Sequence, residues 1–267
     1  MLRLGYIDVL NVLPVYYCLQ NKELNLAVEW VVGKVTELNL MLRKGDIDIS
    51  VISSFEYCQH PELYYILPDL SVSADGAVGS IFLFLSLPLE DLKGERIFLT
   101  EYSLTSVHLI QYLLKDLDVV FTQDPNDEVV GTLLIADDAI RRSFNQQDAY
   151  IYDLSTLWKE LTGLPFVFAL WVVRKDAFEQ DPDRVQTVYS AILESKNRSK
   201  FYYDQMAKEK YKGVFPTEKD CALYLKNLHY DFSPPFQEGL NLFQEKMVEL
   251  GKLKQIAPLI FLPEKKG

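Results

Sequence analysis

Cysteine and histidine are scarce: the 267 residues contain three of each. Cys18, Cys58 and Cys221 are odd in number, widely spaced and form no C-x-x-C pair, which leaves neither a disulfide framework nor a zinc site. His60, His108 and His229 are equally scattered. Cys58 and His60 lie close in sequence without the remaining ligands of a site, so no metal is expected. Long apolar runs are missing as well. The run Phe166–Val173 is too short to span a bilayer, and the opening MLRLGYIDVL has neither a long apolar stretch nor a small-residue cleavage site. The expectation is a soluble cytoplasmic protein. Basic residues fall short, 27 against 38 acidic, for a net charge of −11. Such a surface repels phosphate backbones and anionic lipid, so neither nucleic acid nor membrane is an expected partner. An anionic small molecule would have to be caught by local donors. There is no Walker motif, no G-x-G-x-x-G, no paired-His helix and no G-x-S-x-G elbow. No cofactor is implied, and a nucleophilic serine is not expected.

What is present alternates. Arg3–Asp8 reads as a strand, Val12–Gln20 as a helix, Ala27–Val32 as a strand, Val35–Lys44 as a helix stopped by Gly45, and Ile47–Ser50 as a strand. This order implies βαβ units and a largely parallel sheet. Ser80–Ser86, Ile97–Thr100, Asp118–Phe121, Thr132–Ala136, Ala149–Tyr152 and Phe166–Val173 read as further strands, with helices at Thr105–Lys115 and Asp137–Phe144. From Lys175 the chain reads as almost wholly helical, broken near Gly213–Pro216 and Ser233–Pro235. One topology accommodates this: a first domain, 1–86 and 174–267, interrupted by an inserted α/β lobe, 87–173. The crossings then fall near Leu85–Pro88 and Leu170–Lys175. Two α/β lobes around a central cleft are similar to the periplasmic-binding-protein-like (type II) fold.

In such a fold, ligands bind beyond the carboxyl ends of strands and near helix starts. Asn11, in GYIDVLNVLP, stands where a strand hands over to a helix, and either a helix cap or a ligand contact explains it. Ser80 opens an apolar strand after the turn Asp75-Gly76. Ser103, Thr105 and Ser106 form a hydroxyl cluster at a helix start, suited to a carboxylate or to plain capping. Asp137 and Asp138 open another helix, and Ser53-Ser54 follow a further strand.

Together the motifs VLNVLP, DGAVGS, LTSVHL, LLIADDA and YDLSTLWKELTGLPFVFALWVVR, in that order, resemble the chorismate dehydratase family of the futalosine route to menaquinone. The resemblance is clear over about residues 2–174. It implies a two-lobed binding-protein fold and a lyase without metal or organic cofactor. That enzyme removes water from chorismate to give 3-[(1-carboxyvinyl)oxy]benzoate. By resemblance, Asn11 and Ser80 match the family's cleft residues, Thr105 and Ser106 its carboxylate-binding hydroxyls, and Asp137 its acidic position after a strand. Ser54 is a further candidate substrate contact. Asn11 is then expected both to end the strand and to face the substrate. Two departures stand out: Val9-Leu10 replace an aromatic-Leu pair, and Ala136 stands where a Gly is usual. Competing readings are the sister dihydroxynaphthoate synthase, which the TGLPFVFALW segment disfavours, and a non-catalytic small-anion-binding protein.

Overall fold

Apolar runs from opposite ends of the cleft-forming region meet in one sheet. The structure, a computed structural model, describes residues 1–145 and 147–264. β1 (Arg3–Tyr6), β2 (Glu29–Val32), β3 (Ile49–Ser53) and β4 (Tyr64–Ala74) join β10 (Phe166–Arg174) in the order β2-β1-β3-β10-β4. The second sheet is β7-β6-β8-β5-β9, from β5 (Ile81–Leu85), β6 (Arg96–Leu99), β7 (Val120–Thr122), β8 (Gly131–Ile135) and β9 (Tyr150–Asp153). In each sheet three parallel strands meet one antiparallel strand, β10 or β5. All five residues of β3 are buried, and β10 is buried along nearly its whole length. That is why β10 reads as an almost unbroken apolar run, while β3 carries small buried serines between its aliphatic residues.

Sheet membership moves the crossings. β5 pairs with β8 and β9 in the second sheet, and β10 pairs with β3 and β4 in the first. The chain therefore changes sheets between Ala74 and Ile81 and again between Asp153 and Phe166, not at Leu85–Pro88 and Leu170–Lys175. The expected boundaries failed because a buried strand carries no mark of which sheet it will join. β4 has no counterpart among the strands read from sequence. Its pairing with β10 skips residues 67–70, where Pro68 and a left-handed Asp69 (φ 57°) break the alternation.

Helices α1 (Leu13–Gln20), α2 (Val35–Lys44) and α3 (Ser54–Gln59) follow the first three strands, and α4 (Leu104–Leu113), α5 (Ala136–Phe144) and α6 (Leu154–Thr162) serve the second sheet. α7 (Lys175–Gln180), α8 (Pro182–Ser199), α9 (Tyr203–Lys210), α10 (Glu218–Asn227) and α11 (Pro234–Glu249) close the described chain. α1 is buried from Leu13 to Leu19 and packs on α8. Its Tyr16 hydroxyl accepts the Trp171 indole N–H at 2.6 Å, so two of the larger core side chains also satisfy each other's polar atoms. Gly5 sits in β1 because a Cβ there would collide with the Ser50 side chain of the neighbouring strand. No described helix is long and apolar enough to cross a membrane.

The lobes touch directly. The Ser54 and Thr105 hydroxyls are 3.2 Å apart, the Phe55 N–H donates to Thr105 Oγ1 at 3.2 Å, and the Phe55 and His108 rings stack with centroids 3.7 Å apart.

Candidate active site

The carboxyl ends of β1, β3 and β8 open onto a cleft of about 680 Å³ between the sheets. That volume suits a small molecule. The loop after β1 contributes Asp8, Val9 and Asn11, and the second lobe contributes Tyr102, Ser103 and the start of α5. The cationic side chains on the walls are Lys34, from the first lobe, and Arg141, from the second. Lys34 Nζ reaches across the cleft to lie 4.8 Å from the Tyr102 ring centroid. Arg141 is held by Asp138 at 2.5 Å and by the Gly213 carbonyl at 3.2 Å.

Asn11 is on the wall but is not the helix cap. The cap position of α1 is Val12, with no side-chain cap bond, and the Asn11 Oδ1 is buried without a partner in the protein. The capping role fails because Pro14 enters the first turn and the preceding residues close their own backbone turns, Val12 to Val9 and Leu13 to Leu10. The amide is left for the cleft.

Asp137, also on the wall, and Ser80, next to the wall residue Ile81, likewise carry a buried oxygen without a partner. Among the described residues, eight buried side-chain atoms lack a hydrogen-bond partner, and Asn11 Oδ1, Ser80 Oγ and Asp137 Oδ1 are three of them. Buried polar atoms are normally paired, so unpaired ones clustered at a cleft mark where a ligand belongs. The three are physically linked. The Ala136 N–H donates to the Ser80 carbonyl at 2.7 Å, and Asp137 follows directly. The Leu10 N–H, next to Asn11, faces the Asp137 carboxylate. Burial pushes the Asp137 carboxyl above the ordinary value, Arg141 pulls it back, and Asp138 and Asp8 add to the rise. A second cavity of about 150 Å³, lined by Asp8, Asp137 and Lys210 among others, adjoins the same residue. Ala136 has φ 52°, the left-handed region, which explains why glycine suits that position.

The remaining predicted residues lie elsewhere. Ser54 donates to the Val167 carbonyl at 2.7 Å and faces Thr105, and both hydroxyls are buried in the contact between lobes. Ser106 is buried one bond behind the wall: it accepts from Ser103 Oγ at 2.9 Å, and its N–H donates back to Ser103 at 3.2 Å. Of that hydroxyl cluster, Ser103 is the member on the cleft. Sequence reasoning missed Tyr224 altogether. It is a buried α10 residue whose hydroxyl lies beside that of Ser80. A tyrosine in a helix far along the chain gives no local signal for this. Among the described residues, no group of three or more His, Cys, Asp or Glu is arranged to hold a metal ion.

The family model described as menaquinone biosynthesis matches residues 2–249. The chain belongs to this family. A chorismate dehydratase from Thermus thermophilus is 32% identical over 243 residues, covering 79% of this chain and 83% of the relative. Membership of the chorismate dehydratase family, expected from the motifs, therefore holds. Among solved structures, a protein from Archaeoglobus fulgidus superposes with a TM-score of 0.75 at 18% identity, covering 93% of this chain and 97% of that one. The periplasmic aliphatic sulphonate binding protein SsuA from Escherichia coli superposes at 0.67 with 15% identity, over 100% of this chain and 93% of its own. At these identities the likeness establishes the fold, and it is the two-lobed binding-protein fold.

Proposed function

We propose that the protein is a chorismate dehydratase that eliminates water from chorismate to give 3-[(1-carboxyvinyl)oxy]benzoate, in the futalosine route to menaquinone. The observation that carries this reading is the placement of Asn11 and Asp137 on the cleft wall, each with a buried oxygen that makes no hydrogen bond, with Ser80 next to the wall residue Ile81. The same reading makes it a hydro-lyase working in the cytoplasm.

The chemistry asks for little. A proton leaves ring carbon 3, a hydroxyl leaves ring carbon 4, and the ring becomes aromatic. The C3 proton is acidified through the adjacent double bond by the ring carboxylate, on which charge develops. Preorganised donors facing that carboxylate lower the barrier. Lys34 and the start of α4 at Ser103 are the donors on the walls. The substrate's own enolpyruvyl carboxylate, tethered to the reacting carbon, takes the proton at high effective molarity. Asn11 and Ser80 orient the ring by hydrogen bonding. Asp137, on the cleft wall with its carboxyl raised by burial, hydrogen-bonds the departing hydroxyl, which takes up a proton and leaves as water. The proton taken from ring carbon 3 passes from the enolpyruvyl carboxyl to solvent. One C–H and one C–O bond break, and the balance closes.

The test is incubation of the purified protein with chorismate, following the product by mass and by its new aromatic absorbance. Wild type should form the dehydrated product. Asn11→Ala should lose about 100-fold in kcat, the scale of one missing oriented hydrogen bond at a developing charge. Chorismate that binds without reacting would make the protein a binding protein. An Asn11→Ala variant with full turnover would remove the role of Asn11.

A further inference from the structure

The segment beginning YDLSTLW is the most extended part of the family resemblance, yet of its residues only Phe168 and Ala169, near its far end, line the cleft. Its first acid explains why it matters. Asp153 ends β9 and caps α6: its Oδ1 accepts the Ser155 N–H at 2.9 Å and the Thr156 N–H at 3.1 Å. That alone would be ordinary capping. The same carboxylate also accepts the Val78 N–H on Oδ1 at 3.2 Å and the Gly79 N–H on Oδ2 at 2.7 Å. One side chain thus ties both sheet-crossing segments together, and Val78-Gly79 are the two residues before Ser80.

Ser80 needs such a tie. It stands at the mouth of β5, where the sheet holds the chain on one side only. Gly79 turns the chain with φ 71°, and a Cβ there would reach 3.4 Å from the Tyr224 ring. The Ala136 N–H fixes the Ser80 carbonyl from the other lobe-forming strand. A second link, Lys159 to Asp75 at 2.6 Å, holds α6 against the same crossing. A carboxylate suits four donors because both of its oxygens only accept; here three N–H groups meet Oδ1 and one meets Oδ2. An Asn at 153 has one acceptor oxygen, and its NH₂ would face another N–H.

We infer that Asp153 is a positioning residue for the dehydration, holding Ser80 in line with Asn11 and Asp137 through the Val78–Gly79 backbone. It does not touch the substrate. The inference rests on the dehydratase reading for its kinetic readout, but not for its structural one.

The decisive variants are Asp153→Ser, Ser80→Ala and the double variant. Serine is as good a helix cap as aspartate, so D153S keeps the α6 cap while the shorter side chain releases Gly79. D153S should fold with a Tm near that of wild type and lose about tenfold or more in kcat, with KM changed less than about threefold, since small misplacements of a catalytic group are costly. In the Ser80→Ala background the same change should alter kcat less than about twofold, because its target is gone. An unchanged kcat in D153S, or an equal loss with and without Ser80, would overturn the inference. Hydrogen exchange gives a readout independent of turnover. The Val78 and Gly79 amides should exchange about tenfold faster or more in D153S, with β3 and β10 unaffected. Unaltered protection at Val78 and Gly79 overturns the inference too. A wild-type protein inert towards chorismate, with exchange altered as expected, would sink the dehydratase reading and leave the clamp standing. Should D153S not fold, Asp153→Asn is read by the same two measurements.

Discussion

The two sheets have the same strand order and very different interiors. β3 and β10, at the centre of the first, are buried along nearly their whole length, whereas their counterparts β8 and β5 in the second mix buried and half-buried residues. The first sheet is the one that gathers α1, α3, α7, α8 and α11 around it, while the second is covered mainly by α4, α5 and α6. Equal strand order therefore does not bring equal cover: helices that return from the C-terminal third pack on the first sheet. The second lobe carries Asp137 and Ser103, and the first carries Asn11, so the two walls of the cleft rest on sheets of different cover.

Truncations at matched central strands measure that difference most directly. Trp171→Ala in β10 should cost about 3–5 kcal/mol in urea unfolding, since it empties a fully buried site and removes the indole N–H that the Tyr16 hydroxyl accepts. Phe82→Ala in β5, where the ring is only part-buried, should cost about 1–2 kcal/mol. Equal losses would break the comparison.

The lobes also differ in how they hold strained backbone. Asp69 and Ala136 both have positive φ. Asp69 earns its place, since its carboxylate meets Lys196 at 2.7 Å and accepts the Phe232 N–H at 3.4 Å. Ala136 has no such side chain, and a left-handed alanine costs about 1 kcal/mol. Ala136→Gly should therefore raise stability by about 0.5–1 kcal/mol, and Asp69→Gly should lower it. A thermal melt of both decides the point, and a loss in Ala136→Gly would mean that the strain is not felt.

The smallest effect sits where the lobes meet. Burial against Phe55 depresses His108, with nearby Lys252 adding to the fall and the Leu104 carbonyl opposing it. Its folded-state pKa thus lies below the unfolded value of about 6.5. Between the two values the unfolded chain binds more protons, so stability is present above about pH 6.5 and is lost as pH falls through the folded-state value. The wild type should therefore lose more stability than His108→Gln on going from pH 7 to pH 5, by about 1 kcal/mol or less. Identical slopes would show that this contact does not sense pH.

Local patterning determined a good deal of this protein. The alternation of β and α units, the helix stop at Gly45 with its φ of 83°, the helical C-terminal third and the positions of Asn11, Ser80 and Asp137 at element ends all follow from neighbours within a turn or a strand. Rules of that range see caps, breakers and periodicity. They do not see partners. Which sheet β5 and β10 join, the bulged β4, the withdrawal of Ser54 and Thr105 into the contact between lobes, and the arrival of Tyr224 beside Ser80 depend on pairings tens to more than a hundred residues apart. Those were decided by the closing of the sheets. A hydroxyl at a helix start has the same local sequence whether the packed lobes turn it to the cleft, as with Ser103, or bury it against another lobe, as with Thr105.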